Sequence, residues 1–191
     1  LGLTFGLVLG IASALVMAYF RPARQWLMPV LVVSQAVPVF ALAPILVLWV
    51  GYGMASKVVM ATLIIYFPVT AAFHDGLRRT EPGWVELARA MNGSRWAILR
   101  HVRIPAALPA LGSGLRVATA VAPIGAIVGE WVGSSSGLGY LMLHANARMQ
   151  IDIMFAALAT LALLAVALYF SVDFIVRHAI PWQPDSHPNE S

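Results

Sequence analysis

Five stretches of this chain are each as long and as apolar as a bilayer core demands, and no other feature narrows the fold so far. A membrane helix needs about 20 consecutive apolar residues, because lipid offers no partner to an unpaired backbone N–H or C=O. The stretches run from Leu1 to Phe20, Trp26 to Val50, Met54 to about Phe73, Ala106 to about Trp131, and Ile153 to Val172. Asp152 and Asp173 mark the ends of the last. Only 10% of the 191 residues are charged, against about 25% in a soluble domain. The expectation is an all-α, polytopic membrane helix bundle with five spans in this fragment. Between the fourth and fifth runs, "VGSSSGLGYLMLHANARMQ" is too short and too polar to span easily. It reads as a surface loop or as a short helix at the interface. Cysteine is absent, which excludes disulfides and thiolate metal sites.

One segment resists the lipid. Glu86 to Pro105, "ELARAMNGSRWAILRHVRIP", carries Glu86, Arg89, Arg95, Arg100 and Arg103. At about 3 kcal/mol per charge near the membrane centre, burying it would cost on the order of 15 kcal/mol. The fourth run holds only Arg116 among its apolar residues and can absorb that one charge. Glu86 to Pro105 is therefore expected outside the membrane. Six Arg residues, from Arg78 to Arg103, lie between runs three and four. Alternation of the spans places Arg21, Arg24 and Arg177 on the same side and leaves Lys57 and Arg148 on the other. Nine against two makes the basic side cytoplasmic by the positive-inside rule. Leu1 then starts outside. The expectation is a chain without a signal peptide that lacks its N-terminal part, with six spans in the complete protein.

The charged segment has its own local pattern. Trp84, Leu87, Ala88 and Met91 recur at i, i+3, i+4 and i+7, one face of a short helix. Pro82 suits a first helical position. Asn92 and Gly93 break the pattern with the two residue types that most readily accept left-handed backbone. Ile98, Leu99 and Val102 then form a second apolar side, and Pro105 is expected to separate this element from the next span. A helix–turn–helix lying across the cytoplasmic face follows. A basic interfacial helix that merely anchors to anionic headgroups fits the Arg residues, but not Glu86 or the tight mid-break.

This segment resembles the "EAA" loop of ABC-transporter permeases of the binding-protein-dependent importer family. Glu86 and Ala88 match the first and third positions of Glu-Ala-Ala, with Leu87 between them, and Val102, Ile104 and Pro105 match its Ile-x-Leu-Pro ending. Asn92 stands at the family's glycine position and Gly93 follows one place later. "VPVFALAPILVLWVGYGMASKV", Val37 to Val58, and "GEWVGSSSGLGYL", Gly129 to Leu141, resemble nitrate-, taurine- and sulfonate-type permeases. The run on to "HANARMQ" is most similar to permeases for the hydroxymethylpyrimidine precursor of thiamine. The resemblance implies the membrane-spanning subunit of an importer, with ATP hydrolysis residing in a partner. The loop would be a coupling helix docked on a cytoplasmic ATP-binding cassette ATPase. Glu86, Leu87, Ala88, Met91, Asn92, Gly93, Arg95 and Pro105 would carry that contact. It further implies an extracytoplasmic solute-binding protein, a permease homodimer and a bacterial inner-membrane location. Residues 1–180 would form one transmembrane permease domain with the coupling loop at 82–105, and 181–191 a disordered polar tail.

Other constellations are weaker. Gln35 beside Ser34, and Glu130 at the outer end of run four, are polar groups at membrane depth and candidates for a translocation path. An inter-helix hydrogen bond and an interfacial carboxylate are the plainer roles for them. Arg116 is expected to snorkel to the inner headgroups, and Trp26 and Trp131 to anchor at the interfaces. Pro38, Pro44, Pro68 and Pro123 lie inside the runs, as kinks along a path or as ordinary bundle packing. Gly125, Gly129 and Gly133 form a small-residue face for close helix contact. "GSSSG" around Ser135 has the nucleophile pattern of hydrolases, but a membrane helix precedes it where a strand is needed. Histidine spacing offers no metal motif and no phosphate loop is present, so neither metal nor cofactor is expected. A stand-alone secondary transporter is the rival in class, and it would need no docking loop.

Overall fold

The computed structural model describes residues 1–182, all of its elements helical. The expected tail at 181–191 lies outside the described residues beyond Trp182. α1 covers Gly2–Tyr19, α2 Arg21–Ala36, α3 Val39–Val50, α4 Met54–Arg78 and α5 Pro82–Ala90. α6 covers Arg95–Ile98, a π-helical turn Leu99–Arg103, α7 Ile104–Gly133, α8 Leu138–Ala147 and α9 Ile151–Ala179. Four helical stretches are long and apolar enough to cross a membrane, and a fifth crossing exists if the bent pair α2–α3 is one span.

α4 is the centre of the bundle, clasped between α1 and α7. Its buried side chains, among them Met60, Ile65, Val69, Phe73 and Leu77, recur at helical spacing. Lipid tails are as apolar as leucine, so close packing rather than escape from water holds such helices together. The sequence provides for close approach. A methyl group on Gly6 of α1 would lie 2.6 Å from Ile65 Cγ2, and one on Gly125 of α7 would lie 2.9 Å from the Ala61 backbone. The Gly125–Gly129–Gly133 face thus meets Ala61, Lys57 and Val47 of the same chain. Polar pairs are few: Tyr66 donates to Ser13 Oγ at 2.8 Å across the α4–α1 seam. Gly53 N–H donates to the Gly133 carbonyl at 3.2 Å and ties the α3–α4 loop to the end of α7.

Three expectations need correction. The second run is not a straight helix: it bends by 104° between Ala36 and Val39. Val37 takes extended backbone (φ −82°, ψ 120°) and Pro38 begins α3 as its cap. Steric clash with a proline ring disfavours helical geometry in the residue before it, which is why the chain turns there. Pro44, Pro68 and Pro123, by contrast, sit inside continuous helices.

Pro105 does not separate the charged element from the fourth span. Arg95–Gly133 is one helix of 39 residues. At 1.5 Å per residue it extends about 58 Å, far beyond the roughly 30 Å bilayer core. Its first turns therefore stand outside the membrane. A proline inside an α-helix clashes with the carbonyl four residues back. Here a widened π turn precedes Pro105, with Ile104 N–H donating to Leu99 O, and Pro105 falls in the first turn of the α-helical stretch that follows.

The third correction concerns Arg116. Its Nε–H donates to Asp173 Oδ1 at 2.6 Å, with both side chains largely buried. Arg177 reaches the other carboxylate oxygen at 2.9 Å. Arg116 thus fastens α7 to α9 instead of reaching for headgroups. α9 otherwise exposes most of its apolar side chains, including Leu163, Phe170 and Phe174, as a lipid-facing helix does.

Candidate functional site

The expected helix–turn–helix is present, and its geometry is well determined by hydrogen bonds. α5 opens with Pro82 in its first turn, where the missing N–H costs nothing. It closes on Met91, whose N–H donates to Leu87 O at 3.0 Å. Asn92 follows with φ +58°, in the left-handed region. Gly93 is not left-handed; it is small for another reason. Its N–H donates to Ala88 O at 2.9 Å, and a methyl group there would lie 2.7 Å from that same oxygen. The two residues of the break therefore have separate tasks, one conformational and one steric. Ser94 caps α6 by accepting the Ala97 N–H at 3.1 Å, satisfying one of the donors left open at a helix start. Arg103 Nε–H donates to the Leu77 carbonyl at 3.1 Å and pins the π turn to the C-terminal end of α4.

α5 buries none of its residues. Trp84, Leu87 and Met91 are 57%, 63% and 76% exposed. With Ala88 they line an open groove of about 830 Å³, whose other wall includes Val102, Pro105, Ala106, Pro109 and Trp182. The helical spacing of Trp84, Leu87, Ala88 and Met91 is thus realised as one face, but that face is turned outward. Glu86 and Arg95 are exposed, and no ion pair to either is found among the described residues. An apolar face this open is the mark of a surface that meets a partner protein or the membrane.

The two path candidates lie far apart in character. Gln35 is exposed at the end of α2, at the bend. Glu130 is engaged: its Oε2 accepts the Gly139 N–H at 2.7 Å, and its carboxylate lies against Gly137, the left-handed cap of α8. It serves as the N-terminal anion of α8, favoured there by the helix dipole. The segment before the fifth span is accordingly a short helix, α8, with Ser134 and Ser136 hydrogen-bonded in the turn that precedes it. Sequence reasoning missed the groove's second wall, since Val102, Pro109 and Trp182 meet α5 only in space.

A bundle with one long helix projecting on its basic side, and an amphipathic helix hinged to that projection, is the architecture of an importer's membrane subunit. The chain belongs to the family described as binding-protein-dependent transport system inner membrane component, whose model matches residues 6–183. It is a multi-pass membrane protein and the permease subunit of an ABC importer, a class that works with an ATPase partner. A probable ABC transporter permease protein of Haemophilus influenzae is 61% identical over 94% of this chain and 74% of its own length. The formylaminopyrimidine transport permease protein ThiX of Halalkalibacterium halodurans is 36% identical over 96% of this chain and 73% of its own. The riboflavin transport system permease protein RibX of Chloroflexus aurantiacus is 40% identical over 87% of this chain and 62% of its own. Among solved structures, the inward-facing MetNI methionine ABC transporter superposes with a TM-score of 0.78 at 23% identity, over 93% of this chain and 88% of that one.

Proposed function

We propose that α5 and the Asn92 turn are the element through which ATP hydrolysis in a partner subunit drives this permease, and that its cargo is a small heteroaromatic vitamin precursor. One observation carries the first half: α5 buries nothing in its own chain, yet its apolar face is held at a fixed angle by the Asn92–Gly93 break. A helix that served only the bundle would turn Leu87 and Met91 inward. In the proposed assembly Leu87, Ala88 and Met91 enter a groove of the ATPase, with Glu86 and Arg95 at its rim. Asn92, Gly93 and Pro105 fix the angle at which α5 is presented. The projecting base of the 39-residue helix then carries ATPase motion rigidly into the membrane.

The cargo reading rests on the likeness to a formylaminopyrimidine permease and a riboflavin permease, both handling nitrogen heterocycles by name. Taurine and aliphatic sulfonate permeases are more distant at 29% to 32% identity and supply the alternative class. A solute-binding protein on the outer face, a second copy of the permease and a bacterial inner-membrane location complete the proposal.

Glu86→Ala and Met91→Glu test the coupling role. Both variants should insert with wild-type yield, yet lose the co-purifying ATPase and substrate-dependent uptake. Retention of both activities by both variants would mean that the chain transports without this contact, as a secondary transporter does. For the cargo, a strain lacking the permease should fail to grow on hydroxymethylpyrimidine as its thiamine source. Unimpaired growth there, with lost growth on a sulfonate as sulfur source, moves the substrate to the alternative class.

A further inference from the structure

Behind α5, on the side away from the apolar groove, lies a second cleft of about 410 Å³. Tyr19 and Arg21 from the α1–α2 junction, Thr80, Arg89 of α5, Arg95 of α6 and Arg103 of the π turn line it. No carboxylate is among its lining residues, and none lies within ion-pair distance of these four arginines among the described residues. Four arginines from four separate elements thus line one hollow, with no acidic residue among its lining. Like charges gathered around one hollow repel, and an anion among them relieves that repulsion. Arg103 uses its Nε–H on the Leu77 carbonyl, and its remaining donors stay available to the cleft. The fork of an arginine matches the geometry of phosphate oxygens, two parallel N–H donors to two acceptors.

We propose that this cleft binds the phosphate group of an anionic ligand, and that the ligand is the headgroup of an acidic phospholipid. Its position favours the lipid source over a free anion. α1 ends at Tyr19, which lines the cleft, and Tyr19 and its neighbour Phe20 are both about half exposed. Aromatic residues of this kind mark the headgroup level of a span. A lipid in the leaflet beside α1 brings its phosphate to the four arginines without leaving the membrane. Bound there it joins the α1–α2 junction to the base of α5, so the membrane itself would steady the helix that faces the cytoplasm.

The test uses the full-length permease with its ATPase in nanodiscs. Arg21→Gln/Arg89→Gln is the main variant, because both residues line the cleft and neither is assigned to the ATPase contact. In phosphatidylglycerol discs, native mass spectrometry should find lipid retained by the wild type. The double variant should lose it by roughly fivefold per arginine removed, the weight of one basic residue at an anionic surface. In phosphatidylcholine discs, radiolabelled inorganic phosphate is the second probe. Phosphate held by the wild type and released by the variant, with no phosphatidylglycerol retained, keeps the anion site and rejects the lipid source. Equal retention of both probes by wild type and variant overturns the site. So does a variant that sheds the ATPase in phosphatidylcholine while neither probe binds the wild type, because the arginines would then meet a protein carboxylate. If the double variant fails to insert, Arg89→Gln alone carries the test, since α5 buries nothing and tolerates the change.

Discussion

Arg116 is where the physical chemistry of lipid bears hardest on a single side chain. A charge within a span is expensive, and two routes relieve it: reaching the headgroups, or meeting an opposite charge. The structure takes the second route, at 2.6 Å, with Asp173 also held by Arg177 at 2.9 Å. Removing one partner of a buried pair leaves the other uncompensated, whereas replacing both with apolar groups is often neutral. Asp173→Leu, which leaves Arg116 without its carboxylate, should therefore lower the melting temperature of the detergent-solubilised protein by several degrees. Arg116→Leu/Asp173→Leu should recover most of that loss, and Arg177→Gln, with its exposed side chain, should cost little. A double variant no more stable than the single one would show that the pair does not act as a unit. Nothing in the sequence pattern announced this contact, because Arg116 and Asp173 are 57 residues apart and each has an acceptable role alone. Asn92 is the opposite case. Its left-handed backbone was expected from residue type, because few L-residues tolerate that region and asparagine is among them. The distinct task of Gly93 was not, since a clash with the Ala88 carbonyl exists only once α5 has folded.

Among the elements, the hinge between α5 and α6 converts local backbone preference into the pose of an entire helix. Leu87, Arg89 and Ala88 offer three consecutive carbonyls to Met91, Asn92 and Gly93, which closes α5 and reverses the chain within three residues. A β-branched residue in left-handed backbone costs about 1–2 kcal/mol. Asn92→Val should accordingly speed hydrogen exchange at the Gly93 amide by about 5- to 30-fold, the population equivalent of that strain. Asn92→Gly should leave it nearly unchanged, and the global melting temperature should fall by only a few degrees in Asn92→Val. Unaltered exchange in Asn92→Val would mean that the turn is held by contacts other than its own backbone. Most elements were legible in advance, because a run of about 20 apolar residues leaves few options in lipid. Both failures occurred at proline. Pro38, expected as a kink along a path or as ordinary bundle packing, is a break, while Pro105, expected as a boundary, lies within a continuous helix. A proline weakens a helix locally, but whether the chain breaks or widens into a π turn depends on what packs around it. Leu99 is buried against α1, α4 and α7, and Arg103 is bonded to Leu77, so the second helix has support that α2 lacks.

For the whole molecule, the break between α2 and α3 poses the sharpest question of what surrounds the chain. Exposed, irregular backbone at membrane depth is tolerated only where protein covers it or water reaches it. Yet α2 buries only Leu31, and Ser34, Gln35, Ala36, Val37 and Pro38 are exposed at the bend. α9 is just as exposed, but it is unbroken and its outer residues are apolar, so lipid satisfies it. The two surfaces must therefore meet different surroundings. We propose that the bend faces a water-filled path, a second permease copy, or a path formed between two copies, where broken helices commonly place their polar groups. Cysteine is absent from the chain, so a single introduced thiol reports its own environment without background. Gln35→Cys, in membranes carrying the assembled transporter, should react with a water-soluble maleimide or form an oxidised dimer. Leu163→Cys on α9 should do neither, because a thiol in hydrocarbon is neither ionised nor reached by the reagent. Silence at both positions would place the bend against lipid, which irregular backbone does not favour. The bent helix would then have to straighten in the assembled state.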